Sequence, residues 1–337
     1  MDVLAVADLE RWLSTAQAAE GPHGSGSCLV VVDLATTGSG PPADLAAQVR
    51  GLPAVLVGVS EAADPVAGTV EDLAAGSEPY ASVMDVVVTA ARLPALVAAV
   101  QAHPLAATAL ALLLRCAPSG IDAGLVAEST TYSMLQAGPE FAAWRAARPP
   151  RTRSDRGPAV LVERYGDELR VKLNRPEVRN ALNARMRDEL VQALTIAAND
   201  PDLTVRLEGA GPSFCAGGDL DEFGSRADPA SAHVIRLTRS PARLLSRLAA
   251  RVTVHLHGAC YGSGIELPAF AGRVVAAPDT RIALPELALG LIPGAGGTVS
   301  LPRRIGRRRT AWLAFTGEPI DAGTARRWGL VDAVEPA

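Results

Sequence analysis

Apolar residues along the chain follow two patterns: short β-branched runs, and longer stretches with apolar residues three and four positions apart. In the first half, runs at 28–34, 54–59 and 84–90 are bounded by Gly, Pro or Ser, which predicts buried strands. Residues 94–114 and 121–136 show the helical spacing and are rich in Ala and Leu, which predicts two amphipathic or buried helices. The first half is therefore predicted to be a small α/β unit that ends in a helical hairpin.

The second half alternates strand and helix patterns. Runs at 159–163 and 168–173 predict a hairpin around Tyr165-Gly-Asp167, followed by a helix at 184–198 and a strand at 204–207. A Gly-containing turn, a helix around 232–248, a strand at 252–256 and another Gly-containing turn come next. This alternation predicts an α/β fold with a βαβ-built sheet covered by helices. The polar, Pro-containing segment 147–157 marks a connector, so we predict domains at 1–150 and 151–337.

Composition and charge narrow the class of protein. The chain has 337 residues, of which 48% are apolar and 20% charged, enough for one large or two smaller globular domains. Its net charge of −4 argues against nucleic acid as the main partner. No apolar run reaches the length of a membrane span and the start is acidic, so we expect no membrane association and a cytoplasmic protein. The four cysteines are scattered without a CxxC pair, which favours reduced thiols and no metal site.

Two Gly-containing turns each follow a predicted strand and lead toward a helix: Phe214-Cys-Ala-Gly-Gly-Asp-Leu220 and Gly258-Ala-Cys-Tyr-Gly-Ser-Gly-Ile-Glu266. In such a turn backbone N–H groups point outward, and the following helix adds partial positive charge. Two amides that converge on one oxygen form an oxyanion hole. Either turn alone is more often an ordinary βα connection, but the pair is more informative. Neither spells GxGxxG, and no nucleotide P-loop is present.

Five segments in order along the second half carry a family signature. They are Asn174-Arg-Pro-Glu-Val-Arg-Asn-Ala-Leu-Asn183, Ser213-Phe-Cys-Ala-Gly-Gly-Asp-Leu220, His257-Gly-Ala-Cys-Tyr-Gly-Ser-Gly-Ile-Glu-Leu267, Pro285-Glu-Leu-Ala-Leu-Gly-Leu-Ile-Pro-Gly-Ala-Gly-Gly-Thr298, and Gly317 with the block from Ala322 to Val331. These segments resemble the crotonase superfamily of enoyl-CoA hydratases and isomerases. The resemblance implies a ClpP/crotonase-like core, a spiral of ββα repeats, with the first half as a smaller α/β-helical unit.

The resemblance also implies roles for particular residues. The amides of Gly218 and Ser263 would hold the thioester carbonyl, and Glu266 and Glu286 fill the two acid positions that hydratases use. Two carboxylates suit hydration, because one takes a proton from water while a protonated partner delivers a proton to the α-carbon. We expect Glu266 to activate the water and Glu286 to exchange the α-proton, with shared roles left open. From the residues alone, both acids also fit ordinary helix starts, and Asp219 fits a turn or N-cap.

The substrate is expected to be an acyl-CoA thioester, so coenzyme A belongs to the substrate and no separate cofactor is needed. Hydration of a 2-enoyl-CoA is the predicted reaction. An isomerase or other acyl-CoA enzyme that uses one acid, or a non-catalytic acyl-CoA-binding subunit, stays open. A homo-oligomer, trimer or hexamer, is implied by the resemblance. The substrate-binding residues implied with it are Arg179, Asn180, Ala181, Leu182, Ala216, Gly217, Asp219, Leu220, Gly262 and Gly294.

The sequence departs from the family at its C-terminal end. Members usually continue into helices that close the site, whereas this chain stops at Ala337. Residues 87–144 of the first half, including Glu128 and Trp144, resemble those trailing helices. We therefore expect the first half to be a catalytically silent, degenerate crotonase-like unit whose last helices take the empty position. A docking domain unrelated to this fold is the alternative.

Overall fold

A computed structural model of the chain describes residues 3–13, 28–35, 44–61, 79–151, 157–225 and 228–336. Its strands are β1 (Val3–Ala5), β2 (Leu29–Asp33), β3 (Val55–Val59), β4 (Val86–Val88), β5 (Val160–Tyr165), β6 (Glu168–Leu173), β7 (Thr204–Gly209), β8 (Val252–Leu256), β9 (Ala259–Tyr261), β10 (Arg273–Ala276), β11 (Arg281–Ala283), β12 (Ile320–Asp321) and β13 (Ala333–Val334). Its α-helices are α1 (Val6–Leu13), α2 (Leu45–Arg50), α3 (Leu93–Ala102), α4 (Pro104–Cys116), α5 (Ile121–Gln136), α6 (Pro139–Ala147), α7 (Ala184–Asn199), α8 (Pro229–Thr238), α9 (Pro241–Leu248), α10 (Ser263–Glu266), α11 (Gly297–Thr316) and α12 (Ala322–Arg327).

The described strands form three sheets. The first half contributes a parallel sheet in the order β1-β2-β3-β4. The second half contributes a larger sheet, β13-β10-β8-β7-β6-β5, in which the β5–β6 hairpin is antiparallel and the other pairs of described strands are parallel. A small sheet, β12-β11-β9, lies at the level of the second Gly-containing turn. The alternating strands and helices confirm the predicted α/β class.

Two long helices that the spacing predicted are each broken in two. The predicted helix at 94–114 is wrong as one element, because α3 and α4 are bent by 106° where His103 leaves the helical conformation and Pro104 begins the next helix. The predicted helix at 232–248 divides between α8 and α9, since Ser240 caps α9 and Pro241 starts it. The helix that carries Glu266 ends at that residue, so Pro268 begins a separate 3-10 turn.

The hydrophobic core crosses the predicted connector at 147–157. One core cluster joins Val57 and Leu110 of the first half to Leu207 and Trp312 of the second half. A second cluster, around Leu9, Leu56 and Met84, lies on the other face of the first sheet and contains only residues from the first half. Helices α4 and α5 therefore pack as part of the same core as the second-half sheet.

A buried carboxylate also joins the two halves. Asp85, 1% exposed, accepts hydrogen bonds from Arg115 of α4 and from Arg307 of α11, the latter at 2.9 Å. It also accepts the Leu56 N–H at 2.8 Å. Because breaking a buried ion pair commonly costs about 3–5 kcal/mol, this cluster resists separation of the halves.

No single helix among the described residues is long and apolar enough to cross a membrane, and the bent pair α3–α4 meets the criterion of length and composition only when both are taken together.

Candidate active site

A cavity of about 260 Å³ lies between the two Gly-containing turns, helices α5 and α8, and the start of α11. Both polar and apolar side chains line it, as is usual for small-molecule sites. Seven of the residues predicted from the sequence contribute to its wall: Leu182, Gly218, Asp219, Ser263, Glu266, Glu286 and Gly294. The structure therefore brings both predicted acids and both predicted amide donors to one cavity.

The two Gly-containing turns lie side by side. Cys215 and Cys260 form a parallel bridge between the two turns, and a methyl group at Gly262 would lie 3.7 Å from the Gly217 Cα. Gly217 has a φ of 103° and Gly262 a φ of 49°, values that favour glycine. A side chain at Gly218 would meet the ring of Phe223 at 2.5 Å.

The amides beyond these glycines are unpaired. Within the described part of the chain, the N–H groups of Gly218 and Ser263 donate to no backbone or side-chain acceptor. For Ser263 the reason is its place as the first residue of α10, where a helix leaves its N–H groups free. Its hydroxyl lies 3.7 Å from the Cys215 Sγ. Both amides are available to a ligand atom.

Glu266 is held by the amino end of α11. Its side chain is buried, and Oε2 accepts the N–H groups of Ala295 at 2.8 Å and Gly297 at 2.9 Å. A methyl group at Gly297 would come within 2.8 Å of the same oxygen, so this close approach requires glycine. The helix terminus adds favourable partial charge for an anion.

Glu128 of α5 accepts hydrogen bonds from the other two backbone amides of the turn 295–298. Its Oε1 accepts the Gly296 N–H at 2.7 Å, and its Oε2 accepts the Thr298 N–H at 2.8 Å and the Thr298 hydroxyl at 2.7 Å. The turn 295–298 thus lies between two buried carboxylates, with odd-numbered amides bound to Glu266 and even-numbered amides bound to Glu128.

The carboxyl group of Glu286 has fewer hydrogen-bond donors around it than that of Glu266. Glu286 lies at the start of a 3-10 turn after β11, is 8% exposed, and its Oε2 has no hydrogen-bond partner among the described residues. Its Oε1 faces Gly262, where a methyl group would lie 2.3 Å away. A carboxyl oxygen that is buried beside a cavity and has no protein partner is free to exchange a proton with a ligand.

The three acids share one low-dielectric region. Burial raises the pKa of Glu286 from 4.5 to about 8, opposed by a hydrogen bond from its own backbone and assisted by Glu128. Burial raises the pKa of Glu128 to about 7, against hydrogen bonds from Thr298 and Gly296. Burial, then the charges of Glu286 and Glu128, raise the pKa of Glu266 well above its ordinary range. The cluster therefore retains protons near neutral pH.

Seven of the predicted substrate-binding residues lie outside the cavity wall: Arg179, Asn180, Ala181, Ala216, Gly217, Leu220 and Gly262. The Asn180 side chain accepts the Arg175 N–H and donates to the Ala210 and Ser213 carbonyls, so it braces the first turn. Asp219 lines the cavity but also forms a buried ion pair with Arg175 at 3.0 Å. Its other oxygen accepts the Asp221 N–H at 3.2 Å, as a turn residue would.

The sequence analysis did not assign Glu128, Ser129 and Tyr132 of α5 or Arg236 of α8 to the site, although all four line the cavity. Tyr132 is buried and a methyl group at Gly294 would lie 2.4 Å from its ring. The available signal was a charged residue at 128 on the helix face that also carries Leu125, Tyr132 and Leu135. Its partners, Gly296 and Thr298, lie 168 and 170 positions away, and no local pattern identifies them.

Metal-ligating side chains do not gather in the described residues, where no group of three or more His, Cys, Asp or Glu could hold an ion.

The second half of the chain is similar in sequence to a known protein family. The sequence model of the enoyl-CoA hydratase/isomerase family matches residues 165–337. The 2,3-dehydroadipyl-CoA hydratase of Escherichia coli (strain K12) is 37% identical over 182 residues, which are 53% of this chain and 69% of that protein. The probable enoyl-CoA hydratase echA8 of Mycobacterium tuberculosis (strain CDC 1551 / Oshkosh) is 34% identical over 181 residues, with the same two shares.

A solved structure shows the same fold. The enoyl-CoA hydratase from Thermoplasma volcanium GSS1 superposes with a TM-score of 0.50 at 35% identity, covering 54% of this chain and 73% of that one. This chain belongs to the enoyl-CoA hydratase/isomerase family, and the predicted crotonase fold is confirmed.

Proposed function

We propose that this chain adds water across the double bond of a 2-enoyl-CoA thioester. The observation that carries the proposal is that two unpaired backbone amides and two buried glutamates line one cavity. Each part has a task in hydration. The amides of Gly218 and Ser263 bind the thioester oxygen, while Glu266 and Glu286 handle the protons at the neighbouring carbons.

The oxyanion hole supplies the electrostatic part of catalysis. When water attacks the β-carbon, electron density moves through the double bond to the thioester oxygen. Donors that are already oriented stabilise this charge without reorganisation, and loss of one such donor commonly costs about 3–4 kcal/mol. Gly218 and Ser263 fit this role because neither amide must give up an existing protein hydrogen bond.

The unequal environments of the two acids suggest which one starts as the base. Two N–H donors and a helix terminus favour the charged form of Glu266, whereas the Glu286 Oε2 has no donor. Burial raises the pKa of both acids, so we base the assignment on the hydrogen bonds and give the anion to Glu266, whose two N–H donors stabilise the carboxylate that takes a proton from the attacking water. Glu286 starts protonated and gives its proton to the α-carbon. The enolate electrons form the new C–H bond, so no redox cofactor is required.

Residues 179–182 and Ala216 are proposed to contact the coenzyme A portion along the edge of the first turn. Apart from Leu182, which lines the cavity, these residues lie outside its wall, and the Ala216 N–H donates to the Arg179 carbonyl at 2.9 Å. This hydrogen bond ties the two segments together. A thioester would then pass from this edge between Gly218 and Ser263, with its acyl chain directed toward α5 and α8.

Hydration can be measured by loss of the conjugated enoyl thioester absorbance, with the wild-type protein, Glu286→Gln and a control, Glu163→Gln. Glu163 lies exposed on β5, outside the cavity. We expect Glu286→Gln to lower kcat by about 10²–10⁴-fold, as for removal of a general acid, and the control to retain activity. Unchanged turnover in Glu286→Gln would remove that residue from the mechanism.

Isomerisation is the alternative that one observation favours. The free oxygen of Glu286 could shuttle a proton between two carbons without help from Glu266, which is anchored through its Oε2. Reaction in ¹⁸O-labelled water separates the two. Hydration places one labelled oxygen in the product, whereas a product without label would establish isomerisation.

A further inference from the structure

Arg236 places a positive charge in the wall of the cavity, on the side formed by α5 and α8. Its Nε donates to the Ser129 hydroxyl at 3.1 Å and its Nη1 to the Gln136 Oε1 at 3.2 Å. Its Nη2 donates to the Ser133 hydroxyl, and the guanidinium lies 4.8 Å from the ring centre of Tyr132. These α5 partners recur at helical spacing and form one polar stripe facing α8.

The partners of Arg236 are all neutral. It forms no ion pair with a carboxylate of the described residues, whereas Arg187 and Arg239, which also line the cavity, both pair with Asp188. Glu128 is close enough to interact with its charge, but both oxygens of that acid are bound to the turn 295–298. A half-buried guanidinium with only neutral partners loses hydration without gaining an opposite charge.

The guanidinium also keeps binding capacity. Arginine has five N–H groups in a planar fork that matches a carboxylate. The second Nη2 contact, to the Ser129 carbonyl, is long at 3.5 Å. Among the described residues, Nη1 donates to a single acceptor, Gln136, although it carries two N–H groups. A carboxylate can therefore bind without displacing the Ser129 hydroxyl or Gln136 from their present bonds.

We propose that Arg236 binds a carboxylate at the far end of the acyl chain, so that the preferred substrates are CoA thioesters of dicarboxylic acids. The inference rests on the proposed function, since it assumes a thioester between Gly218 and Ser263. From that position the acyl chain extends past apolar cavity residues such as Leu125, Leu182 and Ile235. The hydrogen bonds that the guanidinium donates to neutral side chains of α5 orient it for this terminal group.

A purely structural role is the competing explanation, because Arg236 also ties α8 to α5. Arg243 provides a matched control. It binds Asp122 of α5 at 2.7 Å from the neighbouring helix α9, and it does not line the cavity. If helix attachment is all that matters, Arg236→Gln and Arg243→Gln should affect all ligands to the same degree.

Equilibrium binding tests the site without requiring turnover. Calorimetry would compare succinyl-, glutaryl- and adipoyl-CoA with butyryl-, pentanoyl- and hexanoyl-CoA. We expect the wild-type protein to bind at least one dicarboxylic thioester about 10- to 100-fold more tightly than its uncharged counterpart. Arg236→Gln should abolish that ratio, and Arg243→Gln should preserve it. Equal binding of the two series by the wild type, or a preference that survives Arg236→Gln, would overturn the proposal.

A crystal structure of the wild-type protein with the preferred dicarboxylic thioester keeps the test valid if Arg236→Gln does not fold. The terminal carboxylate should contact the Arg236 guanidinium, and a carboxylate that faces solvent would overturn the inference. Hydration by the wild-type protein of the 2-enoyl form of the dicarboxylic thioester that binds most tightly reports separately on the proposed function. Its absence, together with a retained dicarboxylate preference in binding, would reject hydration but leave the carboxylate site intact.

Discussion

Replacing Glu128 by Gln tests whether the first half of the chain completes the active site. The substitution keeps the size of the side chain but replaces one carboxylate oxygen by the NH₂ of an amide. The present oxygens accept three hydrogen bonds, from Gly296 N–H, Thr298 N–H and the Thr298 hydroxyl. In one orientation the new NH₂ group faces both Thr298 donors, and in the other it faces Gly296 N–H. At least one buried donor is left without an acceptor in either case.

The buried donor without an acceptor determines the expected loss of stability. An unsatisfied buried donor costs about 1–3 kcal/mol, which is a large part of the roughly 5–15 kcal/mol by which domains are stable. We therefore predict that Glu128→Gln lowers the free energy of unfolding by about 1–3 kcal/mol. Since displacement of a catalytic group by about 1 Å can cost 10²-fold, kcat should fall about 10- to 100-fold as the turn 295–298 shifts and Glu266 with it.

Urea unfolding and steady-state hydration of but-2-enoyl-CoA measure the two effects, with Glu163→Gln as control. A pH profile adds a readout that a simple packing defect would not change. The charge of Glu128 raises the pKa of Glu286, so its removal should move the alkaline limb of kcat to lower pH. Wild-type stability together with wild-type kcat would refute the reasoning that Glu128 holds this turn.

Two further predictions concern Glu286 and its neighbour. Its folded-state pKa of about 8 exceeds the ordinary 4.5, so its contribution to stability is present in full below pH 4.5 and is lost as pH rises through 8. The free energy of unfolding should thus fall between these pH values, by up to roughly 3–5 kcal/mol. Urea unfolding at a series of pH values should show a weaker pH dependence of this free energy for Glu286→Gln than for the wild type. An equal pH dependence in the two proteins would contradict the assignment. Gly262→Ala should lower kcat/KM by about 10-fold or more, because its methyl group would lie 2.3 Å from the Glu286 Oε1 at a φ of 49°. Kinetics equal to those of the wild type would show that the turn tolerates a side chain.

Local patterns predicted much of the fold. The helix expected at 121–136 is observed as α5 (Ile121–Gln136), and the hairpin around Gly166 and the strand at 252–256 are present. Hydrophobic periodicity identified these elements because each one buries a single face or run. It failed at His103-Pro104 and Ser240-Pro241, where apolar spacing continues across a break that the backbone of proline enforces.

The site was predictable only where its residues lie in the two Gly-containing turns and beside them. Gly218, Ser263, Glu266 and Glu286 come from segments whose order resembles the family, and the structure places all four at one cavity. Glu128 and Arg236 reach it through packing of α5 against α8 and α11. Such contacts depend on tertiary arrangement, so spacing along the chain does not reveal them.

The role of the first half follows from the same contacts. Helix α5 supplies Glu128 and Tyr132 to the cavity, while Asp85 binds Arg307 of α11. We propose that the helices after β4 close the site over the second half. On this proposal the second half is incomplete without residues 79–147, and a fully active 151–337 fragment would exclude it.

The central claim is that Gly218 and Ser263 hold the oxygen of a thioester beside two glutamates. A crystal structure of the protein with butyryl-CoA, a saturated substrate analogue, tests it most directly. We predict that the thioester oxygen lies about 2.7–3.1 Å from both amide nitrogens, with Glu266 and Glu286 flanking the α- and β-carbons. A thioester bound elsewhere, or an oxygen beyond hydrogen-bond reach of both amides, would contradict the account.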